Sequence, residues 1–240
     1  MSETLFIADI HLSPVYPEIS AFFLEFLADR ARRAERLYIL GDLFETWIGD
    51  DDSTHQEIME ALHVLGSQIP IHVLHGNRDF LLGEGFVNIT GCQLLPDPSL
   101  VEVYGVPTLL THGDSLCTLD STYQTFRRQV RSQAWQQWFL AQPLEQRRVL
   151  AQQARQESQK YGTKVDGEVM DVTPQAVNAM LEQYGVRYLV HGHTHRPGVH
   201  TLTVNGQVAY RKVLGAWETY QAIGLSWTPQ GCQLTNLYLR

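Results

Sequence analysis

Cysteine is scarce: the 240 residues hold only Cys92, Cys117 and Cys232. An odd number at wide spacing excludes a disulfide framework and offers no zinc-knuckle pattern, so the three are read as buried thiols. No apolar run is long enough to span a bilayer, and Met1-Ser2-Glu3-Thr4 lacks the basic start and long apolar stretch of a secretory signal. The expected location is the cytosol. Basic residues are also short. With 18 Lys and Arg against 26 Asp and Glu the net charge is −8, which argues against a generic nucleic-acid binder, because phosphate-backbone affinity needs a basic surface. Internal repeats, low-complexity tracts and flexible linkers are absent. At 44% hydrophobic and 18% charged, the composition is that of a folded chain, long enough for one large domain or one domain carrying an insertion.

Glycine is missing from residues 120 to 160, and there the charge reverses. Residues 127 to 164 carry eight of the 18 Lys and Arg but only Glu145 and Glu157 among the acids, setting +6 inside a chain whose remainder carries −14. Trp135, Trp138 and Phe139 fall at i, i+3, i+4, the spacing of an amphipathic helix, which Pro143 should break. Two readings are open for this segment: a helical hairpin packed on a sheet, or a cap over a site. The expected division is a core of residues 1–119 and 168–240 with an inserted helical cap at 120–167.

Strand-like runs alternate with helical patterns through the first half: strand 4–8, helix 18–33, strand 37–41, helix 54–67, strand 71–75. This is the rhythm of βαβ units and predicts a layered α/β fold. After Gly91 shorter strands dominate, with 100–104 and 107–111 flanking Gly105, and 199–204 and 207–214 flanking Asn205-Gly206, a type I′ hairpin signal. A second, more antiparallel sheet is expected.

Seven potential metal ligands follow these strand-like runs: Asp9 and His11 after Leu5-Phe6-Ile7-Ala8, Asp42 after Leu37-Tyr38-Ile39-Leu40-Gly41, Asn77 after Ile71-His72-Val73-Leu74, His112 after Leu109-Leu110, and His193 with His195 after Tyr188-Leu189-Val190. Ligands of open α/β sheets bind beyond the carboxyl ends of the strands, so polar residues repeated at strand ends imply one shared site. Each motif alone reads as a turn or as surface histidines, and His191 and His200 are read as the latter. Together they point to metal. Alternate residues project to one side, so Asp9 with His11, and His193 with His195, suit paired ligands, while a carboxylate such as Asp42 has two oxygens and can bridge two cations. A donor set of carboxylate, amide and imidazole without thiolate suits a divalent ion such as Mn²⁺. Two cations roughly 3.5–4 Å apart lower the pKa of water and offset phosphoryl charge during in-line attack, so no side-chain nucleophile is required.

The order D-x-H, GD, GN, H, G-H-x-H resembles the calcineurin-like metallophosphoesterase superfamily over nearly the full chain. The resemblance implies an α/β sandwich of two sheets flanked by helices. It also implies two Mn²⁺ ions, one bound by Asp9, His11, Asp42 and His195, the other by Asp42, Asn77, His112 and His193, with Asp42 as bridge. Most of the superfamily carries histidine after the GN asparagine, where this chain has Arg78. That departure, with Leu5 to Leu12, Tyr38 to Glu45, Trp47 to Asp51, His75 to Leu81 and His191 to Pro197, resembles the branch that acts in bacterial lipid A biosynthesis.

What this branch implies is cleavage of the pyrophosphate of UDP-2,3-diacylglucosamine by water attack on the phosphorus nearest uridine, giving UMP and the diacylated sugar 1-phosphate. Asp42, Arg78, His112 and His193 would serve catalysis. Asn77, Arg78 and His193, together with Asp120, Tyr123, Ser158, Thr163 and Lys164 of the insertion, would contact this lipid-linked nucleotide sugar. The basic segment would face phosphates or anionic lipids, with Trp135, Trp138, Phe139 and Leu140 lining an acyl groove or touching the membrane. A monomer at the cytoplasmic face of the inner membrane is expected, with no nucleic-acid partner. Two rivals stay open: a cyclic-nucleotide or general phosphodiesterase on the same metals, and a non-catalytic assembly scaffold.

Overall fold

The computed structural model describes residues 2–163, 167, 169–219 and 221–237. Strand β1 (Thr4–Ile7) leads to helix α1 (Pro17–Ala28), β2 (Arg36–Leu40), α2 (Gln56–Gly66), β3 (Ile71–Leu74), α3 (Glu84–Thr90) and β4 (Gln93–Leu95). Strands β1 to β4 run parallel side by side, as right-handed βαβ units require. The chain then makes the hairpin β5 (Ser99–Val103) and β6 (Val106–Leu110), and three helices follow: α4 (Ser121–Val130), α5 (Gln133–Leu140) and α6 (Leu144–Gly162). Helix α7 (Pro174–Tyr184), β7 (Tyr188–His191), β8 (Gly198–Val204), β9 (Gln207–Val213), β10 (Trp217–Glu218), β11 (Gln221–Thr228) and β12 (Gly231–Asn236) complete it.

Two sheets result. One has the order β10-β11-β1-β2-β3-β4 with β12 on β11, and the other β5-β6-β7-β9-β8. Side chains alternate across β1, and this sorts the core into layers. Phe6 and Ala8 face the second sheet with Tyr38, Leu40, Leu110, Val190 and Trp227, whereas Leu5 and Ile7 face outward with Leu37, Ile39 and Val73, against α1 and α2. Helix α7 covers the other outer face through Val177 and Leu181, on Leu109 and Leu189. The expected two-sheet α/β sandwich flanked by helices is the observed fold.

Three expectations need correction. The helix expected over 18–33 stops at Ala28, and a separate 3-10 turn, Ala31–Arg33, follows, its Ala31 buried in the core. The second sheet is no more antiparallel than the first: β6, β7 and β9 run parallel, and only its two hairpins are antiparallel. Those hairpins are what the sequence signals identified, and Tyr104-Gly105 and Asn205-Gly206 turn with positive φ at both positions, as type I′ requires. His191 is also not a surface histidine. It ends β7 fully buried, and burial pushes its imidazole down to about 3, whereas His200 is exposed. Cys92 and Cys117 are buried free thiols, but Cys232 is only partly covered.

The insertion rests on the core rather than standing clear of it. Pro143 separates α5 from α6, as expected. Phe139 is 4% exposed, and Trp135 stacks on it at 4.9 Å while packing with Leu144, Leu150 and Ala151 against the outer-face core. Trp138 and Leu140 stay exposed. Buried Arg147 ties α6 to the loop after β2, donating to Ile48 O at 2.6 Å and pairing with Asp51.

Candidate metal centre

All seven sequence-predicted ligands converge at the carboxyl ends of β1, β2, β3, β6 and β7. Their donor atoms form an unbroken chain. Asp9 Oδ1 lies 3.5 Å from His195 Nε2, which is 3.3 Å from His11 Nε2. Asp42 Oδ2 is 3.8 Å from both His11 Nε2 and His112 Nε2, so one oxygen stands between two clusters. His112 Nε2 is 3.0 Å from Asn77 Oδ1, itself 2.8 Å from His193 Nδ1.

The backbone creates this convergence. Among the described residues, seven non-glycine positions have positive φ: two turn hairpins, and the other five are Asp9, His11, Asp42, His193 and His195. Left-handed backbone is strained for such residues and persists where the surroundings over-determine it, a condition that clusters at functional sites. Here the loops are pinned to one another: Asp9 N–H donates to Gly41 O, His11 N–H to Asp42 O and Trp217 N–H to Asp9 O, all within 3.1 Å. The preceding glycines are required by close approach. A Cβ on Gly76 would meet Asp42 Oδ1 at 2.0 Å, and one on Gly192 would meet Asp9 Oδ2 at 2.4 Å. Asp79, buried, clamps two loops by accepting from Gly76 N–H at 2.7 Å and Leu43 N–H at 2.8 Å, which leaves it no role as a surface partner of Arg78.

The donors fit a divalent cation. Two clusters, Asp9 with His11 and His195, and Asp9 with Asp42 and His112, each bring their ligand atoms within 4.8 Å of one another. Buried Asp9 Oδ1 has no hydrogen-bond partner, an arrangement that a protein avoids unless the oxygen has another use. The electrostatics agree. Burial opposes ionisation of Asp9, yet the nearby His195, His112 and His11 imidazoles hold its carboxyl down at about 2. Burial opposes charge on His112 too, but Asp42, Asp9 and Asp114 outweigh it and push the imidazole up to about 9, the mark of a site that attracts positive charge. His112 Nδ1 contacts Leu40 O at 2.9 Å, which turns Nε2 toward the ligand cluster.

A cavity of about 460 Å³ opens over these ligands, lined by His11, Asp42, Asn77, Arg78, His193 and His195 with Glu45, Arg155, Tyr16 and Trp217. Arg78 lines it, and its buried Nε has no hydrogen-bond partner. The insertion residues lie differently. Asp120 caps α4 by accepting from Tyr123 N–H, and it accepts from the Tyr161 hydroxyl, both at 2.8 Å. Tyr123 sits with its ring 6.0 Å from that of His193. Ser158 and Thr163 are exposed near the end of α6, away from the cavity lining, and Lys164 lies outside the described residues.

Residues 3–197 match the family model for calcineurin-like phosphoesterases. The chain belongs to that family. Among curated calcineurin-like phosphoesterase relatives, a Coxiella burnetii protein named UDP-2,3-diacylglucosamine hydrolase is 47% identical over 90% of each chain. A Stenotrophomonas maltophilia protein of the same name is 49% identical over 89% of this chain and 90% of its own. A solved Pyrococcus horikoshii structure, 11% identical, matches all of this chain and 88% of its own with a TM-score of 0.52, which speaks for the fold alone.

Sequence reading missed the residues behind the ligands of this phosphoesterase. Glu45 holds His11 Nδ1 at 2.9 Å and is paired by Arg155 of α6. Asp114, fully buried, is paired by Arg127 and Arg131 of the insertion. The available signal was spacing: Tyr123, Arg127 and Arg131 recur at i, i+4, i+8, one face of a helix.

Proposed function

We propose that this chain hydrolyses the pyrophosphate of UDP-2,3-diacylglucosamine, releasing UMP and the diacylated sugar 1-phosphate for lipid A biosynthesis. The observation that carries the reading is Asp42 Oδ2 standing 3.8 Å from imidazoles of both ligand clusters, with Arg78 beside them in the same cavity. The name borne by the relatives supplies the substrate. Two Mn²⁺ ions are assigned, one to Asp9, His11, Asp42 and His195, the other to Asp42, Asn77, His112 and His193. Bound there, such ions supply Lewis acidity and lower the pKa of water.

The chain's own residues do the rest. Water attacks the phosphorus nearest uridine, the bond to the bridging oxygen breaks, and the sugar 1-phosphate leaves. Arg78 offers a planar, permanently charged fork to the phosphoryl oxygens as charge develops, which a histidine at this position cannot reproduce. His112 is held in one orientation by Leu40 O, and Asn77 by His112 and His193. Residues 120–167 are assigned as the lipid-binding cap on a core of 1–119 and 168–240, with Asp120 and Tyr123 assigned to the sugar and phosphates, Ser158 and Thr163 to parts of the substrate beyond the cavity lining, and Lys164, outside the described residues, to the same set of contacts. Exposed Trp138 and Leu140, beside the basic residues of the insertion, support peripheral contact of a monomer with the cytoplasmic face of the inner membrane. Among the described residues no helix is long and apolar enough to cross a membrane.

The test is UMP release from UDP-2,3-diacylglucosamine by metal-stripped protein with and without Mn²⁺, beside bis(p-nitrophenyl) phosphate and a cyclic nucleotide. Rapid Mn²⁺-dependent UMP release with little turnover of the small esters is expected. Turnover of only the small esters would discard the substrate, and no turnover at all would revive the scaffold.

A further inference from the structure

Asp114 sits two residues past His112, in the 3-10 turn Asp114–Leu116, with no exposed side-chain surface. A carboxylate taken this far out of water persists only where cations and donors surround it. Its Oδ2 accepts from the Tyr123 hydroxyl and from Arg127 Nε, each at 2.7 Å, and Arg131 Nη2 is 3.7 Å away. All three partners lie on one stripe of α4 and its C-terminal cap, and Gln124 of the same helix donates to Asp114 O at 2.8 Å.

The same stripe touches one half of the metal centre. Arg131 Nη2 donates to Gly76 O at 2.7 Å, the residue before Asn77. Tyr123, its hydroxyl fixed by Asp114, holds its ring beside His193 at an interplanar angle of 28°. His112 is joined to Asp114 through Gly113 alone. Among the described residues, α4 makes no hydrogen bond or ion pair to Asp9, His11 or His195, and that half is reached instead from α6, through Arg155 and Glu45.

We infer that Asp114 is a positioning residue: it seats helix α4 behind Asn77, His112 and His193, so that the cation affinity of this half, and not of the Asp9, His11 and His195 half, depends on the insertion being docked. The inference rests on the two-cation reading above. Supporting groups of this kind govern metal affinity because they fix ligand direction.

The experiment is a Mn²⁺ titration of the metal-free full chain, followed by calorimetry and electron paramagnetic resonance. Asn77→Ala and His195→Ala mark the two halves. Wild type should bind two ions, and Asp114→Asn should weaken one by about 10-fold or more, leaving a single-ion spectrum that matches Asn77→Ala. Two ions at unchanged affinity in Asp114→Asn, equal weakening of both, or a spectrum matching His195→Ala would overturn the inference while leaving the two-cation reading intact. Wild type binding fewer than two ions would sink that reading and the inference with it. Should Asp114→Asn fail to fold by circular dichroism, Arg127→Gln decides on the same criteria, because its side chain is partly exposed and its loss leaves Tyr123 and Arg131 in place.

Discussion

In the strand-end loops, Asp9, His11, Asp42, His193 and His195 hold φ between 52° and 68°, while no described residue of α4, α5 or α6 has positive φ. The loops aim their ligands by backbone, at a strain of about 1–3 kcal/mol per such residue. The insertion reaches the site by long side chains instead: Arg131 to Gly76 O, Arg155 to Glu45, Arg147 to Ile48 O. Backbone pinned at several points cannot drift, whereas an arginine stem has four rotatable bonds and adjusts. Damage in the loops should therefore fall on the chemical step, damage in α4 on one cation, and damage in α5 and α6 on which substrate is held.

The sharpest break of this contrast is Asp42→Ala, which removes the oxygen standing between the two clusters. Turnover of every substrate, large or small, should fall by more than about 100-fold, the upper end of what loss of a mere supporting group costs. Near-normal rates with either ester would remove the two-metal mechanism. Arg78→Ala comes next, with kcat for UMP release expected to drop about 100-fold, as for removal of one donor to a developing oxyanion. Arg78→Lys should recover little of that loss, because an ammonium lacks the planar fork. Full recovery with lysine would reduce Arg78 to a point charge.

How legible each region was follows from the same difference. Asp9, His11, Asp42, Asn77, His112, His193 and His195 could be read because each follows a short apolar run, three of them directly after a glycine, and because the chain order of strands β1, β2, β3, β6 and β7 brings those ends together. The two sheets, the hairpin around Gly105 and the I′ hairpin at Asn205-Gly206 were readable from alternation and turn residues. What could not be read depends on reach across space. Nothing local marks Asp114 as the partner of Arg127, or Glu45 as the partner of Arg155. His191 looks like a surface histidine because the polar stretch His193-Thr194-His195-Arg196 follows it, yet the parallel pairing of β7 with β6 and β9 buries it. The parallel share of the second sheet was hidden because the hairpins that frame it carry the stronger turn signals.

Arg147→Ala sharpens the contrast from the other side. Arg147 is 3% exposed and donates to Ile48 O at 2.6 Å and Gln142 O at 3.1 Å. Its partner Asp51 is largely exposed, so most of the loss comes from unpaired carbonyls, about 2–3 kcal/mol. The expected result is faster proteolysis within residues 133–163 and reduced UMP release, with bis(p-nitrophenyl) phosphate turnover retained. Equal loss toward both substrates would mean that α6, like α4, supports the metal loops rather than the lipid.

The smallest effect concerns the platform on which α6 docks. His55 lies buried against Phe44, ring centroids 4.5 Å apart, and stacks at 6.3 Å on Trp47, next to the Ile48 carbonyl that Arg147 grips. Burial pushes its imidazole from 6.5 down to about 4, with Asp52 opposing only in part. Between those two values the unfolded chain binds a proton that the folded chain does not, so stability falls as the pH drops below 6.5 and levels off near 4. From pH 6.5 to 5 this one group should cost about 2 kcal/mol. Urea unfolding of wild type and His55→Phe at pH 7 and pH 5 isolates it, because other titrations are common to both proteins. The wild type should lose about 2 kcal/mol more than the variant over that interval. Equal losses would show that the platform opens enough to solvate His55, and the insertion would then rest on a support as adjustable as its own arginines.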